Sequence, residues 1–298
     1  MATLYTQQSN NIFKTFVLMG VFLVMVIAIC FAVSAYMGNP IILYIGAIFA
    51  IVTSVGSYWF SDKVVLKMTN AKLVAKEDAP ELYNIVENLS ITAGLPMPRV
   101  FIVNDSAPNA FATGRDPEHA VVAVTTGLLQ ILDRTELEGV VAHELAHVGN
   151  RDMLVMTVAV VLAGFVAIVA DILTRSMIYG GGNDRNRHPA FLILGIVGII
   201  LAPLAAKLIQ LAVSRKREYL ADATGALLTR YPEGLASALE KISQHAQPMK
   251  KASHATAHLF ISDPFQEKKV GMRQKLSGLF QTHPPAAERI SKLRNMGS

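Results

Sequence analysis

Residues 140–147 have the sequence VVAHELAH, in which two histidines stand four positions apart and a glutamate follows the first. On an α-helix, residues i and i+4 lie on the same face, so His143 and His147 can offer two imidazole nitrogens to one zinc ion. Glu144 then lies beside the metal, where it can act as a general base. The spacing therefore predicts a zinc helix with hydrolytic chemistry.

The residues before this motif carry the signals of a helix start. Thr135 and Glu138 have the spacing of a capping box, with Thr135 as N-cap and Glu138 at position N3. Apolar residues follow at helical spacing: Leu137, Val140, Val141, Leu145 and Val148. We therefore expect a helix that begins at this box and buries one face.

Two histidines leave a catalytic zinc ion one protein ligand short, because such sites take three protein ligands and a water molecule. The best candidate for the third ligand is Glu218, in the sequence REYLAD at residues 217–222. This stretch predicts a second helix, on which Glu218 and Asp222 share a face. Asp222 can then accept a hydrogen bond from the far nitrogen of a ligand histidine. Taken alone, these two residues fit a solvated acidic pair beside a basic cluster better than a metal site.

The composition indicates a membrane protein with a water-soluble part, since 52% of the residues are hydrophobic and only 16% are charged. The formal net charge of +5 requires no nucleic acid partner. Much of the basic excess flanks apolar stretches, where the positive-inside rule places it. The single cysteine, Cys30, lies in such a stretch, which excludes a disulfide framework and a cysteine-based zinc site.

Two uncharged stretches, 15–36 and 41–60, are each long enough to cross a bilayer and predict a hairpin. Lysines follow the second stretch, whereas the turn at 38–40 has no basic residue. This bias predicts that the N-terminus and the region after residue 60 are cytosolic, as in a bacterial inner-membrane protein. A second apolar hairpin is predicted over 153–213. Its connecting loop contains three arginines against the charge bias, so its depth in the bilayer stays open.

These features divide the chain into an N-terminal hairpin (1–61), a first catalytic part with the zinc helix (62–152), the second hairpin (153–213) and a second catalytic part with Glu218 (214–298). In the first catalytic part, the pattern predicts a helix from Pro80 to Gly94 and strands at 99–103 and 120–124. A short edge strand is expected at 109–114 between them.

Four motifs together resemble the HtpX-type membrane metalloproteases, which are gluzincins and relatives of the CAAX-prenyl endopeptidases. They are HELAH at 143–147, EYLAD at 218–222, NAFATG at 109–114, and HPP at 283–285 followed by Arg289. The resemblance covers nearly the whole chain and implies one Zn²⁺ ion held by His143, His147 and Glu218. It also implies that Glu144 is the catalytic base and that Asp222 supports a ligand.

The resemblance implies a fold class and a function as well. The expected fold is α+β, mostly α, with two transmembrane helical hairpins and a cytosolic gluzincin-like metalloprotease domain. The expected activity is that of a zinc metalloendopeptidase that cleaves cytosolic parts of misfolded or damaged membrane proteins, in stress-linked quality control. Its partners would be these protein substrates and the lipid bilayer, without nucleic acid, while the oligomeric state is left open.

An extended substrate is expected to lie along the edge strand and to pair with its main chain, which favours broad specificity. The candidate substrate-binding residues on this strand are Asn109, Ala110, Phe111 and Ala112. His283 and Arg289 are two further candidates, which could hold the cleft or stabilise the oxyanion. A purely structural role is the alternative for both.

Three other functions remain as alternatives. A site-2-type intramembrane protease would bury the zinc helix in the bilayer, but Glu136, Glu138 and Arg151 flank the motif and favour the membrane surface. A CAAX-type processing enzyme is expected to have more than four spans. A non-catalytic membrane scaffold or transporter would not require an intact ligand set.

Overall fold

The computed structural model of this protein describes residues 4–179, 215–250, 256–265 and 284–296. The second half of the predicted second hairpin and His283 lie outside these ranges. The described part is mostly helical with one small sheet, which confirms the predicted fold class. Its elements are α1 (Leu4–Met37), α2 (Ile41–Thr69), β1 (Lys72–Leu73), α3 (Pro80–Ala93), β2 (Arg99–Val103), β3 (Ala110–Thr113), β4 (Val121–Thr125), α4 (Thr126–Ile131), α5 (Arg134–Gly149), α6 (Asp152–Tyr179), α7 (Arg215–Thr229), α8 (Pro232–Gln244) and α9 (Ala286–Arg294), with 3₁₀ turns at Pro117–His119 and Ala257–Leu259.

Helices α1 and α2 form the predicted N-terminal hairpin, and both are longer than the uncharged stretches that predict them. The segments long and apolar enough to cross a membrane are Gln8–Ala35 in α1 and Ile41–Thr69 in α2. Large apolar side chains face outward along them, with Phe13 67% exposed and Ile48 64% exposed. Such a surface is stable in lipid and not in water, which agrees with a membrane location.

The sheet has the strand order β1-β2-β4-β3, with β2 and β4 parallel and both edge strands antiparallel to their neighbours. All five residues of the central strand β4 are buried. The strands predicted at 99–103 and 120–124 correspond to β2 and β4, and the weak pattern at 109–114 contains the edge strand β3. Strand β3 is therefore at the edge of the sheet, where its outer side can pair with another segment.

Helix α5, which carries both histidines, lies in the centre of the folded domain. On one face of the sheet a single apolar cluster joins α3, α5 and α8 through residues such as Leu82, Val141 and Leu235. On the other face, Val65 of α2 and Val160 of α6 pack against the strands. The histidine motif is therefore buried inside the protein and not on a solvent-exposed helix face.

The N-terminus of α5 differs from the prediction, because the capping box expected at 135–138 is wrong. Asp133 is the N-cap: its side chain accepts a hydrogen bond from the Glu136 backbone, and the Glu136 side chain accepts one from the Asp133 backbone. Residues 133–136 and residues 135–138 both fit the capping-box pattern. The earlier one forms because Glu136 is buried and receives hydrogen bonds from Ser237 and Lys241 of α8.

Helix α6 follows α5 after a sharp bend of 82°. Its first half does not face lipid, because Leu154, Val158 and Leu162 are buried against Leu18 and Phe22 of α1. The predicted second hairpin thus begins inside the protein, packed between the membrane helices and the sheet.

Gly139→Ala should destabilise this packing, since a Cβ at position 139 would lie 2.6 Å from the backbone nitrogen of Leu235 in α8. Backbone cannot move aside as a flexible side chain can, so we expect a loss of about 1–3 kcal/mol. Thermal unfolding in detergent measures it. Gly56→Ala is the matched control, because a Cβ there has no neighbour within 4 Å. Equal unfolding temperatures for the two variants would contradict the close approach of α5 and α8.

Candidate metal centre

The two histidines of α5 point their Nε2 atoms toward the same point. These atoms lie 3.2 Å apart, and the rings are almost perpendicular, with an interplanar angle of 89°. Both side chains are buried. One turn of helix between His143 and His147 produces this arrangement without strain.

Glu218 of α7 completes a triangle with the two histidines. Its Oε2 atom lies 3.9 Å from Nε2 of His143, and its Oε1 atom lies 3.7 Å from Nε2 of His147. The approach of α7 to α5 depends on Gly225, where a Cβ would lie only 3.0 Å from the backbone nitrogen of His143. The structure thus brings together the three residues expected as ligands, and their ligand atoms all lie within 4.8 Å of one another.

The geometry of this triangle fits a zinc ion. At zinc–ligand bonds of about 2.0–2.2 Å and tetrahedral angles, ligand atoms lie about 3.3–3.6 Å apart. The two Nε2 atoms, 3.2 Å apart, lie close to that range. Each of them faces a different oxygen of Glu218, at 3.9 Å for His143 and 3.7 Å for His147, slightly beyond it. The donor set of two imidazoles and one carboxylate is also one that catalytic zinc sites use.

The charges around the triangle also favour a divalent cation. Four carboxylates are buried here, those of Glu144, Asp152, Glu218 and Asp222. Two guanidinium groups are buried among them, those of Arg217 and Arg289. If a metal ion were held by neutral histidines and all four acids were ionised, the four carboxylates and two guanidinium groups would leave two negative charges, which a divalent cation would balance.

A carboxylate accepts from the outer nitrogen of each histidine. Nδ1 of His143 lies 3.0 Å from Oδ1 of Asp222, as expected from the sequence, and Nδ1 of His147 lies 3.3 Å from Oδ2 of Asp152. These contacts place the proton on Nδ1 and leave the lone pair of Nε2 for a metal. Asp152 was not among the residues predicted from the sequence. Its signal was an acid directly before the apolar run of α6, five residues after His147.

Arg289, a candidate for substrate binding or for a structural role, holds Asp222 in place. Its Nε and Nη2 atoms donate to the two oxygens of Asp222 at 2.9 and 2.6 Å, and its Nη1 donates to the backbone oxygen of Ile261. Burial alone would raise the pKa of Asp222, but the charge of Arg289 and the hydrogen bond from His143 outweigh it and hold the pKa at about 2. Asp222 is therefore a permanent anion behind His143.

The two imidazoles differ in their surroundings. Burial lowers the pKa of His143 to about 4, and the charge of Arg289 acts in the same direction. Burial would also lower the pKa of His147, but the hydrogen bond to Asp152 and the charge of Glu218 outweigh it and raise the pKa to about 9. The negative potential is therefore strongest at His147, where it would attract a cation.

Glu144 is buried beside the triangle and next to the edge strand. Burial raises its pKa to about 7, while the charge of His147 opposes this effect and the charge of Glu218 adds to it. The backbone of Ala112 in β3 acts on the Glu144 carboxylate and opposes the rise of its pKa. A proton acceptor thus lies between the candidate metal ligands and the strand on which a substrate is expected.

Part of this edge strand is already paired with residues 256–265, which we call the covering segment. The backbone nitrogen of Ile261 donates to the oxygen of Ala110 at 3.0 Å. The Asn109 side chain donates to the backbone oxygen of Ser262 and accepts from its nitrogen. Phe111 packs edge-on against the buried Phe260. The first three candidate substrate-binding residues therefore contact the covering segment.

Comparison with known proteins gives matches over most of the chain. Peptidase family M48 matches residues 76–297. A "Protease HtpX homolog" of Syntrophobacter fumaroxidans is 50% identical over 289 residues, which cover 95% of this chain and 99% of that protein. One from Tropheryma whipplei is 47% identical over 296 residues, 99% of each chain. The residues of the metal triangle lie inside all of these matches.

The fold also has a counterpart among solved structures. The crystal structure of Ste24p from S. mikatae superposes with a TM-score of 0.52 and covers 97% of this chain and 67% of that chain. The sequence identity is 19%, so this likeness concerns the fold alone.

Glu218→Ala should abolish zinc binding, because it removes the carboxylate that faces both Nε2 atoms. We expect one zinc ion per chain in the unaltered protein and less than about 0.1 in the variant, measured by metal analysis after chelator washing of detergent-purified protein. Glu288→Ala, which removes an exposed glutamate of α9, is the control and should retain the metal. Full stoichiometry in Glu218→Ala would show that another residue is the third ligand.

Proposed function

The chain belongs to peptidase family M48 as a metalloprotease of the HtpX type, and on this premise we propose that it is a membrane-bound zinc metalloendopeptidase that cleaves cytosolic parts of misfolded or damaged membrane proteins. The observation that carries the proposal is the buried triangle of His143, His147 and Glu218, with Glu144 between it and an edge strand. Residues 62–152 and 214–298 would form the protease domain, and the apolar stretch 153–213 would interrupt it.

In the proposed mechanism His143, His147 and Glu218 hold the zinc ion. When bound, zinc supplies Lewis-acid chemistry, which polarises a carbonyl and makes a water molecule more acidic. Glu144 takes the proton of the attacking water and returns it to the nitrogen of the leaving amine. Asp222 and Asp152 hold the proton of each metal-binding imidazole on Nδ1, which leaves the lone pair of Nε2 for the metal.

The substrate main chain would be held beside β3, in the manner of an added strand. The covering segment occupies the Asn109 and Ala110 end of this strand. We therefore place the reacting peptide bond next to Ala112, whose backbone acts on the pKa of Glu144. Recognition through backbone groups is tolerant of side chains, which suits a protease that removes damaged proteins of many sequences.

The proposed site lies close to the membrane, and this limits what it can reach. Gln8, the first residue of the α1 span, donates to the backbone oxygen of Gly149 at the end of α5. His147 is less than one helical turn from that point. Loops and tails of membrane proteins next to the bilayer surface are thus the substrates within reach, whereas their spans are not.

We further propose that this surface is the cytosolic face of a bacterial inner membrane. Basic residues lie at the protease-domain end of the hairpin: Lys14 in α1 and Lys63 and Lys67 in α2. The opposite turn at 38–40 has none. This asymmetry supports a cytosolic protease domain under the positive-inside rule.

Glu144→Gln should abolish peptide cleavage and leave zinc bound, because the proton acceptor is lost while all three ligands remain. Loss of a general base lowers kcat by about 10²- to 10⁴-fold. Cleavage of a casein-type substrate and metal analysis on the same preparation measure both properties. Glu138→Gln, on the same helix but without contact to the triangle, should keep full activity. Unchanged cleavage by Glu144→Gln would exclude Glu144 as the base.

The orientation can be tested with single cysteines in a Cys30→Ser background. A membrane-impermeant thiol reagent added to intact cells should label Asn39→Cys, in the exposed turn between the spans, and should miss Arg134→Cys, at the exposed start of α5. Both positions should react after lysis. Labelling of position 134 in intact cells, with protection of position 39, would invert the proposed topology.

A further inference from the structure

Asn11 of the first membrane helix is buried in a polar cluster at the back of the candidate metal centre. Its Nδ2 atom donates to Oδ1 of Asp152 at 2.6 Å and to the backbone oxygen of Asn150 at 3.0 Å. Its Oδ1 atom accepts from Nη1 of Arg217 at 3.5 Å. Only 1% of Asn11 is exposed. An amide with both donors and its acceptor engaged has a single orientation, because a flipped amide would place oxygen against two acceptors.

Asp152 connects this amide to the metal centre. Its Oδ2 atom faces Nδ1 of His147 at 3.3 Å, while its Oδ1 atom takes the hydrogen bond from Asn11 and lies 3.5 Å from Nε of Arg217. Asp152 is fully buried at the start of α6, directly after the 82° bend. The hydrogen bond from Asn11 engages Oδ1 of Asp152 and therefore leaves Oδ2 for Nδ1 of His147.

The turn of α1 that contains Gln8 and Asn11 also holds the bend between α5 and α6. Gln8 donates to the oxygen of Gly149, and Asn11 to that of Asn150, so two carbonyls at the end of α5 receive their hydrogen bonds from α1. Carbonyls at a helix end have no partner within the helix and must find one elsewhere when buried. The first membrane helix thereby sets the position of Asp152 relative to His147.

From these contacts we propose that Asn11 is a positioning residue for the metal ligand His147, acting through Asp152. The inference rests on the proposed function, because it takes His147 as a ligand. It assigns a role in the site to a residue outside the range 76–297 that matches peptidase family M48. The first membrane helix would then be a component of the protease and not only its anchor.

The test compares Asn11→Ala with Asn10→Ala, in the full-length protein in detergent. Asn10 is the matched control, because it is the adjacent asparagine on the same helix and is exposed. Zinc affinity is measured by competition between the protein and a chelator with Zn²⁺ as the only added metal. A Glu144→Gln background prevents self-cleavage. We expect Asn11→Ala to weaken zinc binding about 10- to 100-fold, as loss of support for a ligand does, and Asn10→Ala to leave it unchanged.

Two further measurements separate positioning from a general structural role. In the active protein, Asn11→Ala should lower kcat with little change in KM, since the contact does not touch substrate. In an Asp152→Ala background, Asn11→Ala should add no further loss of zinc affinity, because its target is gone. An equal loss with and without Asp152 would overturn the proposal. If Asn11→Ala does not accumulate, Asn11→Ser provides the same comparison.

His147→Ala distinguishes failure of this inference from failure of the proposed function. If His147→Ala loses zinc and Asn11→Ala binds zinc as tightly as Asn10→Ala, only the inference about Asn11 is wrong. If His147→Ala retains full zinc affinity, the proposed metal site is wrong and the inference fails with it.

Discussion

The burial of four carboxylates around two imidazole rings is the constraint on which this structure depends. Such groups are stable away from water only when each is paired or bound to a cation. Arg289 therefore lies against Asp222, and Arg217 near Asp152. Helix packing also brings the charged groups together, because α7 approaches α5 closely at Gly225 and places Glu218 next to the histidines. Sheet and helices together exclude solvent, so the ligands face one another in a fixed geometry.

Much of this centre follows from local sequence patterns. The spacing of His143 and His147 predicts a shared helix face. Glu218 is predicted as the third ligand because a catalytic zinc ion needs one more protein ligand. The strands at 99–103 and 120–124 are also predicted from local sequence, because short apolar runs bounded by turn residues are typical of β-strands. Each of these predictions uses information contained within a few residues.

Features that depend on distant contacts were not predictable in this way. Two capping boxes compete before α5, and the choice is made by Ser237 and Lys241, about 100 residues later, as they bind Glu136. Asp152 has no motif of its own, because its role comes from the bend that turns it back toward His147. Arg289 was a candidate for substrate binding or for a structural role, and its contact with Asp222 joins residues 67 positions apart. The pairing of β3 with the covering segment likewise joins residues about 150 positions apart.

The contacts of the metal centre span nearly the whole chain, from Asn11 near one end to Arg289 near the other. During biosynthesis Asn11 is the first of these residues to be translated and Arg289 is the last. The arrangement around His143 and His147 can therefore form only after Arg289 has been synthesised and α1 is in place. We expect a chain that stops before Arg289, or one in which α1 is not in place, to lack proteolytic activity.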